Sequence, residues 1–121
     1  MLLLACSALK SRDSGSCPAR EMYTGALIRK GMQWADKTGT PFLILSARYG
    51  LIKPDQVIEA YNQKLKRPYQ GPWPDEGGFY LGGQLYFSRA PERFHPLVPA
   101  LPIGMMLRAM NTLLAGGDPW K

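Results

Sequence analysis

The sequence predicts an α/β fold, a three-layer sandwich with a short, mainly parallel sheet of three to four strands flanked by helices. Phe42-Leu43-Ile44-Leu45 is a continuous apolar run closed by turn residues, the pattern of a strand buried on both faces. Leu2-Leu3-Leu4-Ala5, ahead of Cys6, has the same character. Between them runs a stretch of helical periodicity. Strand, helix and strand then make a βαβ unit, right-handed and with parallel strands.

The elements follow in order. Leu2 to Cys6 is the first strand, and Ser7 to Ser16 is a polar, Ser-rich loop carrying Lys10 and Arg12. Pro18 suits a first helical turn. From Ala19 a helix of about 18 residues is expected, with Tyr23, Ala26, Leu27 and Trp34 on one face. Arg29, Lys30 and Lys37 lie toward its carboxyl end and Gly39 is its C-cap. The Phe42–Leu45 strand gives way to Ser46-Ala47 and then Arg48-Tyr49-Gly50. Leu51 to Asp55 is a turn, and Val57 to Tyr61 fits a short strand or a helical turn equally well.

Residues 64–78 hold Pro68, Pro72 and Pro74 around Tyr69 and Trp73, and are expected to form an irregular surface loop. Phe79-Tyr80-Leu81 is a third strand closed by Gly82-Gly83. Gln84 to Arg89 begins a helix that Pro91 limits, and Pro96 to Pro99 suits a brief edge strand. Pro102 opens an amphipathic helix with Ile103, Met106, Leu107, Met110 and Leu114 on one stripe, ended by Gly116-Gly117.

At 121 residues the chain is read as one domain, 1–121. Fifteen Lys and Arg against nine Asp and Glu give a net charge of +6, which favours nucleic acid, nucleotides or phosphorylated small molecules as partners. Composition by itself describes a merely basic protein equally well. Two cysteines and the single histidine, His95, are too few for a disulfide framework or a zinc site. No metal and no cofactor is expected, and Cys6 and Cys17 are read as reduced thiols of a cytoplasmic protein. Leu3-Leu4-Ala5-Cys6 looks like a lipoprotein cleavage box, but the basic segment and apolar run of a signal peptide are missing. No run approaches the ~20 apolar residues of a membrane span, so no membrane partner is expected.

Ligands of open α/β sheets sit beyond the carboxyl ends of the strands. There the first strand delivers Cys6, Ser7 and Lys10, an ammonium able to hold an anion or act as a nucleophile. The plain alternative is a core thiol, a turn-capping hydroxyl and a solvated lysine. The second strand delivers Ser46, Arg48, Tyr49 and Gly50; Arg48 can clamp an anion and Tyr49 can stack on a base. Arg20 stands in the first turn of the helix against the dipole, a placement that suits anion binding. Tyr23 fits the buried face, with a hydroxyl free to reach the site or to satisfy a carbonyl. Gly82 and Gly83 permit close approach of a ligand, Tyr61 and Tyr86 are weaker candidates, and His95 between Phe94 and Pro96 is read as structural. No Walker loop, GxGxxG or GxSxG is present.

These residues resemble a small domain of unknown function found in bacteria and their phages. The resemblance rests on Cys6-Ser7 with Lys10, on Ala19-Arg20 with Tyr23-Thr24-Gly25, and on Leu45-Ser46-Ala47 with Tyr49-Gly50-Leu51 and Pro54-Asp55, and it covers residues 2 to 65. Gly82-Gly83 with Tyr86, and Pro102-Ile103-Gly104, look like its closing strand and helix, and a helix between them is lacking here. More distantly the layout is similar to the YaaA peroxide-stress family and to a domain of archaeosine synthase, whose motif lysine is associated with adding an amino acid to a modified tRNA base. That likeness implies a three-layer α/β fold, a link to nucleic-acid bases, and Lys10 as the reactive amine, although Ser11-Arg12 replace the residues that accompany the lysine there.

The resulting expectation is a protein that recognises a nucleobase, nucleotide or nucleic acid, with base modification or glycosidic-bond cleavage as candidate chemistry. Lys10, Ser46 and Tyr49 would carry the reaction; Cys6, Ser7, Arg20, Tyr23, Arg48, Gly50, Gly82 and Gly83 would bind. The rivals are a non-catalytic DNA- or RNA-binding module and a phage-type protein that blocks a host factor through the Trp73 loop.

Overall fold

The computed structural model describes residues 1–99 and 102–121. In chain order its elements are β1 (Leu2–Ala5), β2 (Ser16–Pro18), α1 (Ala19–Met22), α2 (Ala26–Thr38), β3 (Phe42–Ser46), β4 (Gly50–Ile52), β5 (Val57–Glu59), β6 (Gly78–Leu81), β7 (Phe94–Pro96) and α3 (Ile103–Leu114). The main sheet has five strands in the order β4-β3-β1-β6-β7, and β2 pairs with β5 in a separate two-stranded sheet. The expected three to four strands are thus too few. β1 is central and runs parallel to β3 and to β6, with Leu2 opposite both Phe42 and Phe79.

The extra strands have local causes. Leu51 and Ile52, expected in a turn, pair antiparallel with Leu45 and Ile44, because Gly50 at φ 73° turns the chain back along the edge of β3. Ser16–Pro18 leaves the polar loop to pair with Val57–Glu59, which settles the latter as a strand. Residues 84–89 form turns rather than a helix, and the edge strand falls two residues earlier than expected, on Phe94–Pro96.

The expected 18-residue helix is two helices. Tyr23 caps α1 in an extended conformation (φ −96°, ψ 127°), and α2 starts afresh after Gly25. Thr24 and Gly25 are weak helix formers. The backbone at the break is held by the first loop: Ser11 N–H donates to Met22 O at 2.8 Å and Thr24 N–H to Leu9 O at 3.0 Å. Gly39 does cap α2 in the left-handed conformation.

Strand periodicity divides the core. Leu2, Leu4 and Ile44 meet Ile28, Met32 and Ala35 of α2 and Met106 and Met110 of α3. Leu3, Ala5 and Leu45 point the other way, onto Phe87, Phe94, Leu65, Tyr69 and Trp73. Helices α2 and α3 therefore cover one face alone, and irregular chain covers the other, which corrects the expectation of a sheet flanked by helices on both sides. Trp73 is half-buried against Tyr69, with ring centroids 4.9 Å apart. Gly31 lets α2 approach the sheet: a Cβ there would lie 2.4 Å from Leu4 Cδ2. Lys30 Nζ donates to Asn111 Oδ1 at 2.6 Å and ties α3 to α2. Among the described residues no helix is long and apolar enough to cross a membrane.

Candidate functional site

The ends of β1 and β3 are neighbours, since Cys6 N–H donates to Leu45 O at 2.9 Å. After Cys6 the chain turns back onto the start of α2. Ser7 Oγ donates to Leu9 O at 2.7 Å and accepts the Gly25 N–H at 3.1 Å. The backbone bonds at Met22 and Thr24 then set Lys10 opposite Tyr23 as an isolated antiparallel bridge. From the other side, β5 carries the chain to Tyr61, whose ring stands edge-on to both Tyr23 and Tyr49.

Three hydroxyls meet there. Tyr61 Oη lies 2.7 Å from Tyr23 Oη and 2.9 Å from Ser46 Oγ, and accepts the Ala47 N–H at 3.2 Å. Ser46 Oγ accepts the N–H groups of Arg48 and Tyr49 at 3.2 and 3.1 Å, shaping the β3–β4 hairpin. Tyr23 and Ser46 are 1% and 2% exposed, so the chain of hydroxyls is dry at both ends. Lys10 Nζ lies over the group, 4.5 Å from the Tyr61 ring centroid and 5.8 Å from that of Tyr23, an attractive placement of a cation on π faces. It donates to Ser7 O and Ala8 O, both at 3.5 Å.

Burial pushes the Tyr23 and Tyr61 phenols above their ordinary range. Burial also pushes the Cys6 thiol up, against smaller opposing effects from Tyr61, the Ala47 N–H and Lys10. Cys6 is thus a neutral thiol at neutral pH, a polar wall rather than an activated nucleophile. No carboxylate makes a hydrogen bond to the group among the described residues, which leaves it rich in donors. The described residues also hold no cluster of three or more His, Cys, Asp or Glu able to ligate a metal.

Two clefts border on the group, one through Cys6 and the other through Ser46, and Lys10, Tyr23 and Tyr61 line neither. One of about 480 Å³ is apolar, with Cys6, Ser7, Gly82, Gly83, Tyr86 and the first turn of α2 among its walls. The other, of about 450 Å³, lies beyond Ser46, Ala47 and Gly50 under the chain that follows Tyr61, and is lined by Lys64, Lys66 and Arg67. Gln63 Nε2 donates to Ala47 O at 3.0 Å and holds that chain against the hairpin.

The candidates read from the sequence are partly gathered here. Cys6, Lys10, Tyr23 and Ser46 meet around Tyr61. Ser7 serves the loop and lines the apolar cleft with Gly82 and Gly83; Gly50 lines the basic one. Tyr49 stands at the margin, its Oη accepting the Glu59 N–H at 3.3 Å. Arg48 is exposed at the hairpin tip, its guanidinium 5.2 Å from the Tyr49 ring. Arg20 is elsewhere: it pairs with Asp36 at 2.7 Å near Phe42, at the opposite end of β3. His95 is exposed on β7. Sequence reasoning undervalued Tyr61, the hub, and passed over Gln63, Lys64, Lys66 and Arg67; the run of three cations within four residues was the available signal.

The fold and this group define an α/β protein with a polar, cation-capped centre at the carboxyl ends of two adjacent parallel strands. Residues 1–73 match the model of a family of unknown function (DUF6884), and the chain belongs to that family. The match spans β1 to β5 with the hydroxyl group and the basic cleft, and stops short of β6, β7 and α3. No curated protein and no solved structure matches the chain.

Proposed function

We propose that this protein recognises a nucleobase or nucleotide, free or within nucleic acid, at the carboxyl ends of β1 and β3. The observation that carries the reading is the Lys10 ammonium over Tyr61 and Tyr23, with an apolar cleft walled by Cys6 and Ser7 and a second cleft beyond Ser46 lined by Lys64, Lys66 and Arg67. An aromatic ring suits the first cleft and phosphate the second. The net charge of +6 acts in the same direction. In the base-modifying form of the reading Lys10 is the reactive amine, as the resemblance to archaeosine synthase implies. Glycosidic-bond cleavage is the other chemical form of the reading, with Lys10, Ser46 and Tyr49 as its residues. The three cations favour a second reading, a module that holds a nucleic-acid backbone without chemistry.

A thermal-shift panel of nucleobases, nucleosides, nucleotides and short DNA and RNA, at low and high salt, tests both. Stabilisation by a nucleoside or nucleotide that survives salt, and is lost in Lys10→Met, is the expected result. A shift with oligonucleotides alone, erased by salt and by Lys64→Ala/Lys66→Ala/Arg67→Ala, replaces it with the backbone-binding module. Silence across the panel refutes both.

A further inference from the structure

Residues 61–68 form a strap along one side of the basic cleft. Ala60 N–H donates to Gly15 O and Tyr69 N–H to Tyr86 O, and between these two points the strap makes no backbone–backbone hydrogen bond among the described residues. Side chains hold it instead: Tyr61 at Ser46, Gln63 on Ala47 O, and Leu65 against the second face of the sheet. Lys64 and Lys66 are exposed on either side of the half-buried Leu65, the alternation of an extended chain. Their positions are then about 6–7 Å apart along it.

The strap is cationic throughout. Residues 60–74 contain Lys64, Lys66 and Arg67 and no acid. Arg48 joins the row, because the bond from Gln63 to Ala47 O sets the residue before Lys64 against the residue before Arg48. Arg20–Asp36 is the one ion pair among the described residues, so none of these four cations has a carboxylate partner there. Cations crowded in this way repel one another, and a polyanion relieves the repulsion.

The two clefts lie on different sides of the sheet end. The apolar one opens beside Ile28 and Met106, which belong to the helix-covered core, and the basic one beside Leu65 and Tyr69, which belong to the other. A ligand that uses both crosses the paired ends of β1 and β3, where Cys6 N–H meets Leu45 O. The phosphate on the strap is therefore a neighbour's, and the ligand is a chain. Resting on the nucleotide reading above, we infer that the base is taken from a single-stranded nucleic acid, whose flanking phosphates lie along Arg48, Lys64, Lys66 and Arg67. A duplex keeps its bases paired and stacked, and none of them reaches a cleft of this kind without being flipped out.

The test is fluorescence anisotropy with labelled single-stranded RNA and DNA of about twelve nucleotides, the matching duplexes, and the four ribonucleoside monophosphates as competitors. Four phosphate contacts on a single strand give a slope of log affinity against log salt of about −2.8, a loss of roughly fiftyfold between about 50 and 200 mM. Lys64→Ala/Lys66→Ala/Arg67→Ala should flatten the slope to about −0.7. Arg29→Ala/Arg108→Ala, which removes two exposed cations from α2 and α3, should leave it unchanged. Lys10→Met should weaken the single strand without altering the slope, the mark of a base contact. An equal flattening by the Arg29/Arg108 variant would show diffuse attraction and overturn the inference, as would a duplex bound as tightly as the single strand. Monophosphates that bind as tightly as the single strand also overturn it, and leave the nucleotide reading standing. Single-strand binding untouched by Lys10→Met removes that reading and the inference with it, as does a lack of binding by every probe.

Discussion

The phenol oxygen of Tyr61 lies 2.9 Å from Ser46 Oγ, and this contact ties the chain leaving the two-stranded sheet to the end of β3 in the five-stranded one. Tyr61→Phe removes the hydroxyl that bonds Ser46 and Tyr23 and accepts the Ala47 N–H. A loss of about 1–3 kcal/mol is expected, the usual cost of unpaired buried groups. Tyr49→Phe removes one exposed bond to Glu59 N–H and should cost well under ~1 kcal/mol. Urea denaturation of the two variants checks the ranking; equal losses would show that Tyr61 is not the hub.

Alkaline pH should unfold the protein through the same group. Burial raises the phenols of Tyr23 and Tyr61 above their ordinary 10.0, and the Cys6 thiol above its ordinary 9.0. A raised acid is protonated in both states below its unfolded pKa, so stability is fully present there. Above that point the unfolded chain ionises first and stability falls with rising pH. The melting temperature should hold through neutral pH, begin to fall near 9 and steepen beyond 10. The fall should be shallower in Tyr23→Phe. A flat profile to pH 11 would contradict the burial of both phenols.

Thiol accessibility makes a separate prediction. Cys17 is buried in β2, and Cys6 is half-buried with a raised pKa. At neutral pH both should react with a maleimide far more slowly than in the unfolded chain, with Cys6 the faster of the two. Peptide mapping after timed labelling reads this directly, and rapid labelling of Cys17 would mean that the β2–β5 ribbon opens easily.

Arg20→Ala should be quiet. Its partner is Asp36, and both side chains are about half exposed. Such pairs contribute roughly 0–1 kcal/mol. Stability within that margin and unchanged binding in the nucleotide panel are expected, whereas a lost ligand would restore Arg20 to the anion-binding role its place in the sequence suggested.

Much of the layout was legible because it is local. Four-residue apolar runs mark β1 and β3, Gly39 ends α2, and Pro102 precedes α3. What misled was cooperation over distance. Tyr23 sits at perfect helical spacing from Leu27, yet the loop around Lys10 takes its backbone out of the helix. Tyr61 follows a strand that exists only because Ser16–Pro18 comes to meet it, so nothing in its neighbourhood signals a hub. The second sheet face was misread for the same reason: Leu65, Tyr69 and Trp73 lie in a proline-rich run with no period, and only the pleat of β1 and β3 gives them a surface to cover.

The middle strand of the sheet precedes both of its neighbours in the chain. During synthesis Leu2-Leu3-Leu4 leaves the ribosome long before Phe42–Ser46, and longer still before Gly78–Leu81, so the stickiest segment waits with both edges bare. A nascent chain halted between those two partners would carry a half-built sheet with an open flank, a natural target for a chaperone and a seed for aggregation.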